Sequence, residues 1–173
     1  MSGENVSRME EGLVLLILTR LFLWSMALGL LVYIVNPAWM GWSIVRLPDW
    51  LRWTGIALAV SAIPLFYWIL RSLGDNVTDT VAVRKEHRLV TYGPYRLVRH
   101  PLYSLRIFLL IPAFALVSAS WVIGLLGFLW SAMLVARTRI EEAKLIEKNG
   151  NNYLEYMSLT GRFLPRVGAR NWS

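Results

Sequence analysis

The chain has 173 residues, 56% hydrophobic, 13% aromatic and 17% charged, with a net charge of +7 and no cysteine. A soluble domain carries about a quarter charged residues and less apolar content, so this composition excludes an ordinary water-soluble globule and predicts an integral membrane protein. The missing cysteines exclude disulfides, a thiolate nucleophile and cysteine-ligated zinc or iron–sulfur clusters, and the basic excess in such a chain points to loops beside anionic headgroups rather than to nucleic acid.

The first eleven residues carry Arg8 against Glu4, Glu10 and Glu11, so they read as an acidic segment and not as a secretory signal. The first predicted transmembrane helix covers residues 13–35, uncharged except for Arg20. Asn36-Pro37 ends it. Trp39, Trp42 and Trp50 follow in a short loop, as in an interfacial aromatic belt. The second predicted span covers residues 51–70, with Pro64 as an expected kink. Residues 107–136 contain no charge. As one helix this stretch would be about 45 Å long, too long for one span and too short for two of full length.

The charge distribution decides between them. Segment 71–101 holds six Lys and Arg, and the tail 137–173 holds seven. A tight turn near Ser118-Ala119-Ser120 puts both blocks on one side, which the positive-inside rule makes cytoplasmic. The expected fold is therefore an all-α membrane bundle of about four transmembrane helices, 13–35, 51–70, 102–118 and 120–137, the last two forming a tight C-terminal helical hairpin. Both termini are expected to be cytoplasmic, as are segments 71–101 and 138–173. The last helix is expected to run about three turns past the bilayer, to a stop at Asn149-Gly150.

Two cytoplasmic segments are richer than anchoring requires. In the run from His87 to Tyr103, Gly93-Pro94 and His100-Pro101 force non-helical backbone near the headgroups, whose free polar groups suit a small ligand. A loop whose Arg and Tyr only grip lipid is the alternative reading. In the second segment, Arg137 and Glu141 share one helix face, and Arg139 and Glu142 another. Ordinary surface ion pairs are the alternative there. Arg20 and Arg106 lie in the spans near their ends, where snorkelling accounts for them. Two histidines without cysteine make no recognisable metal site, and no P-loop, Rossmann glycine pattern or serine elbow is present.

The run Leu73-Gly74-Asp75-Asn76, then His87-Arg88-Leu89-Val90-Thr91-Tyr92-Gly93-Pro94-Tyr95-Arg96, then Arg99-His100-Pro101-Leu102-Tyr103 resembles the isoprenylcysteine carboxyl methyltransferase family. So do Glu141-Glu142, Tyr153-Leu154-Glu155-Tyr156 and Thr160-Gly161-Arg162-Phe163-Leu164-Pro165. The first part of the pattern is shared with phospholipid N-methyltransferases and partly with membrane sterol reductases. The reductases commonly have Asn after His-Pro, where this chain has Leu102. Leu105 stands where the family usually has Gly.

The resemblance implies an enzyme that binds S-adenosylmethionine at the cytoplasmic face. It places cofactor contacts on Arg99, His100, Pro101, Tyr103 and Glu142, and the substrate end on Arg137 and Glu141. A lipophilic or lipid-modified substrate would enter laterally from the membrane lipids. Chemistry agrees with these roles. A carboxylate is already a nucleophile and needs only orientation, which Arg137 supplies through two N–H bonds. An amine must lose a proton, which Glu141 accepts. The sulfonium is a cation that the ring of Tyr95 or Tyr103 can face. The expected activity is thus methyl transfer to a lipophilic acceptor, carboxyl O-methylation first and phospholipid N-methylation second. A non-enzymatic lipid-binding protein is the third reading.

Overall fold

A computed structural model describes residues 2–73 and 89–166, with side chains from residue 13 onward. Gly74, Asp75, Asn76, His87 and Arg88 of the motif lie outside the described residues, as do Arg84, Lys85 and Arg170 of the basic blocks.

The described chain is helical. Helix α1 spans Ser2–Val35 and α2 spans Asp49–Leu73. A short α3, Pro101–Leu105, continues through a π-helical turn, Arg106–Leu110, into α4, Ile111–Ser118. Helix α5 spans Trp121–Asn149 and α6 spans Asn151–Leu159. Among the described residues, four helical runs are long and apolar enough to cross a membrane: Leu13–Val35, Asp49–Leu73, Pro101–Ser118 and Trp121–Asn149. The protein is an all-α integral membrane bundle.

Local chemistry sets the helix ends. The Asn36 side chain accepts from the Ala38 amide at 3.0 Å, and Pro37 starts a 3-10 turn that α1 cannot continue through. Asp49 opens α2 and Arg71 closes it, each sign matching the helix dipole. Pro64 has no amide to donate to Val60, yet α2 runs through it unbroken. The long apolar stretch is divided by Ala119, the non-glycine residue at φ 49°, after which Ser120 caps α5 by accepting from the Ile123 amide at 3.4 Å. At its other end α5 stops at Gly150, whose amide donates to Ile146 at 2.8 Å.

Helix α1 packs on α5 and α2 packs on α4. One core cluster joins Met26, Ile111, Trp130 and Leu134, and a second joins Ala62, Ile69 and Leu105. Leu105 therefore faces α2 as packing, so the side chain that replaces the family's Gly is spent on the core. The outward faces carry Trp24, Leu28, Ile34, Ile63 and Phe128, all exposed. In lipid such side chains need no protein cover.

The two ends of the bundle differ. At one, here the far end, Val45 donates to the Ala119 carbonyl at 2.7 Å and the Ser43 and Ser120 hydroxyls share a 2.8 Å hydrogen bond. At the other, the basic end, Val98 bridges Gly161 in parallel, Arg99 N donates to Gly161 O at 2.8 Å and His100 N donates to Arg162 O at 3.1 Å. The described parts of the two basic segments thus meet at one end of the bundle.

Candidate functional site

The basic end is organised around two adjacent carboxylates on α5. Glu142 is buried, with its side chain 4% exposed. Isolated, a charge in that position would be costly to desolvate. It is compensated from two directions. Arg99 Nε donates to its Oε1 at 2.9 Å. Arg162 Nε donates to the same oxygen at 3.1 Å, and Arg162 Nη2 to Oε2. Arg99 also donates through Nη1 to the Met157 carbonyl at 3.1 Å and to that of Thr160. One guanidinium therefore ties the loop before α3 to α5 and to the end of α6.

Glu141 faces a second set of partners. Its Oε1 accepts from Arg137 Nε at 2.8 Å, one helical turn back, and from the Tyr103 hydroxyl at 2.7 Å. Using Nε for this bond leaves both terminal nitrogens of Arg137 for another acceptor.

His100 lies between the two carboxylates. Its Nε2 is 3.4 Å from Glu142 Oε1 and its Nδ1 is 3.8 Å from Glu141 Oε2. The ring stacks on Tyr103 with centroids 5.5 Å apart and planes 4° apart. Phe163 covers it at 6.0 Å. Although Nε2 falls within ion-pair range of Glu142, its geometry makes no hydrogen bond, and among the described residues this buried atom has no hydrogen-bond partner. Buried polar atoms are seldom left so, and one that is marks a place for a ligand or an ordered water.

The backbone that carries His100 is fixed from both sides. The Ser104 hydroxyl is shared between the His100 carbonyl, at 3.0 Å, and the Phe163 carbonyl, at 2.7 Å. Gly161 sits so close to the Leu164 carbonyl that a Cβ there would overlap it. Only glycine lets this strip fold over His100. Upstream, Gly93 has φ +62° and faces Ser72 where a Cβ would collide. The Tyr156 hydroxyl donates to the Tyr95 carbonyl, and burial pushes the Tyr156 phenol up to about 12, so it stays a neutral donor.

The structure thus brings together Arg99, His100, Tyr103, Arg137, Glu141 and Glu142, with Pro101 buried as the first residue of α3. It does not bring the Tyr95 ring there. That ring packs against the cluster of Ala62, Ile69 and Leu105, and only the Tyr95 backbone serves the site. The alternative reading of Arg139 and Glu142 as an ordinary surface ion pair does not hold for Glu142. Arg139 is exposed, and Glu142 turns inward to Arg99 and Arg162. Arg162, Ser104 and Phe163 were given no role by their sequence context. The contacts Arg162–Glu142 and Ser104–Phe163 span 20 and 59 residues, beyond the reach of any local spacing rule.

Three guanidiniums face two carboxylates, so these five side chains carry one positive charge in excess. It can hold a zwitterion against Glu142, Arg99 and Arg162, and still offer Arg137 to an anion.

A search of curated proteins finds the cobalt-zinc-cadmium resistance protein CzcN of Cupriavidus metallidurans, 30% identical over 97 residues. That match spans 54% of this chain and 44% of the relative, so less than half of the relative's length is represented. The model of the isoprenylcysteine carboxyl methyltransferase family matches residues 55–147. The matched stretch runs from α2 to the end of α5 and contains Arg99, His100, Tyr103, Arg137, Glu141 and Glu142. More than half of the chain is matched, and the protein belongs to the isoprenylcysteine carboxyl methyltransferase family of membrane methyltransferases.

Proposed function

We propose that the protein transfers a methyl group from S-adenosylmethionine to a lipophilic carboxylate at the basic end of the bundle. The observation that carries this reading is the convergence of two carboxylates, three guanidiniums and the buried His100 ring at one end of the bundle. These residues fit the cofactor. Glu142 suits an ammonium, Arg99 and Arg162 suit a carboxylate, and His100 Nε2 is left for a further polar atom. When bound, the cofactor supplies an electrophilic methyl group.

The chain's own residues do the rest. Arg137 orients the acceptor carboxylate through its terminal nitrogens. Glu141 holds Arg137 in that pose, and the Tyr103 hydroxyl holds Glu141. Phe163 and the Tyr103 ring cover His100 and keep water from the site. No general base is required, because the acceptor is already ionised. Positioning and exclusion of water carry the acceleration.

The excess positive charge favours an anionic acceptor over the amine of a phospholipid. An amine would need Glu141 as a base, and the two donors on its Oε1, Arg137 and Tyr103, stabilise the ionised carboxylate and make it a poorer base. In this reading the basic end faces the cytoplasm, and the acceptor reaches it from the membrane.

Titration of S-adenosylmethionine and of S-adenosylhomocysteine into the detergent-purified protein tests the proposal. Saturable binding that Glu142→Ala weakens is the expected outcome. No binding of either compound at millimolar concentration would contradict it.

A further inference from the structure

A second polar feature lies deeper in the bundle. Arg106 opens the π-helical turn, three residues after Tyr103 and so on the same helix face. Its guanidinium sits over the Trp130 ring, 5.8 Å from the centroid. Trp130 is 7% exposed, and among the described residues its buried Nε1 has no hydrogen-bond partner. A buried indole N–H normally finds an acceptor, and leaving it without one is a net cost. Snorkelling alone would take the Arg106 head to the interface, whereas here it lies over a buried indole. An intramembrane charge turned to the bundle interior marks a candidate functional site, and π-helical turns collect at such sites.

These features connect to the site already described. The Tyr103 side chain bonds Glu141 and also packs against the cluster that holds Trp130. On α5, Trp130, Leu134, Arg137 and Glu141 follow one another at helical spacing along one face. Trp130 stands seven residues from Arg137, about 10 Å along the axis. Phe22, Met26 and Leu30 of α1 pack against the same cluster. The result is an apolar wall with a polar head at Arg137 and one donor part-way along it.

We propose that Trp130 Nε1, with Arg106 beside it, is a second subsite that binds an uncharged oxygen acceptor of the substrate, such as a carbonyl, about 10 Å from the carboxylate to be methylated. This rests on the carboxylate reading above and sharpens its substrate class. The substrate is an amphiphile with two separated polar points, not a plain hydrocarbon acid.

The test uses the full chain in detergent and two fatty acids of equal length. One carries a keto group about eight carbon–carbon bonds from its carboxyl, a spacing chosen to match the two helix positions. The indole 15N–1H signal of Trp130, assigned by its loss in W130F or W130Y, is followed as each acid is added. The keto acid is expected to move that signal downfield, and the plain acid is not. In methyl-transfer assays kcat/KM is expected to favour the keto acid by about fivefold, the effect of one neutral hydrogen bond. In W130F or W130Y that ratio is expected to fall to about one. An indole signal indifferent to the keto acid would overturn the subsite, as would one that answers only to added phosphatidylglycerol. So would equal kcat/KM for the two acids in the unmodified protein. If neither acid is methylated while the signal still moves with the keto acid, the subsite stands and the methyl-transfer reading falls.

Discussion

At the far end of the bundle, the Ser43 and Ser120 hydroxyls meet at 2.8 Å and the Val45 amide reaches the Ala119 carbonyl at 2.7 Å. Arg52 there bonds the Tyr33 hydroxyl at 3.1 Å and the Val117 carbonyl at 3.2 Å. At the basic end, two carboxylates are held by three guanidiniums, and a buried imidazole nitrogen has no hydrogen-bond partner among the described residues. Both ends join segments far apart in sequence. The far end does so mostly through neutral groups, each with a partner, which is sufficient for closure. The basic end does so through desolvated charges, which cost more than apolar packing of the same volume. That expense is reasonable where charges must be presented to a ligand, and it separates a hinge-like closure from a site.

Substitutions at the two ends test this contrast. The largest effect is expected from Arg137→Ala. Methyl transfer is expected to fall by about a hundredfold or more, since the acceptor loses its orienting group. Affinity for S-adenosylmethionine, measured by calorimetry, is expected to change by less than about threefold, because Arg137 is assigned to the acceptor and not to the cofactor. Equal losses in both quantities would refute that division. Glu142→Gln comes next. It leaves Arg99 and Arg162 without their counter-charge, so unfolding in detergent is expected to become easier by about 3 kcal/mol. Cofactor affinity is expected to drop by about tenfold. The smallest effect is expected from Ser43→Ala at the far end. Loss of one neutral hydrogen bond is expected to cost about 1 kcal/mol, with kcat/KM unchanged. A Ser43→Ala enzyme as impaired as Glu142→Gln would mean that the two ends are not separable.

Much of this architecture was legible in the sequence, because a membrane simplifies the reading. Hydrophobic runs are long, breakers such as Asn36-Pro37 stand out, and the excess of Lys and Arg in two segments forces the apolar stretch to turn back at Ala119. The site was legible where spacing is local. Arg137 and Glu141, four residues apart on one helix, meet as expected. It was not legible where a contact spans the chain. Glu142 has a tempting near neighbour in Arg139, yet burial turns it to Arg99 and Arg162. Tyr95 likewise sits in a motif beside the site, but its ring is claimed by the core. Adjacency in sequence placed Tyr95 at the cofactor, whereas packing against Ile69 and Leu105 decided where the ring went.

The most direct test of the central claim is incubation of the purified protein with methyl-labelled S-adenosylmethionine and a total lipid extract. The account predicts label in the lipid fraction that mild base releases as methanol, the behaviour of a methyl ester. Label that survives base, as an N-methyl group does, or no label in lipid at all, would contradict it.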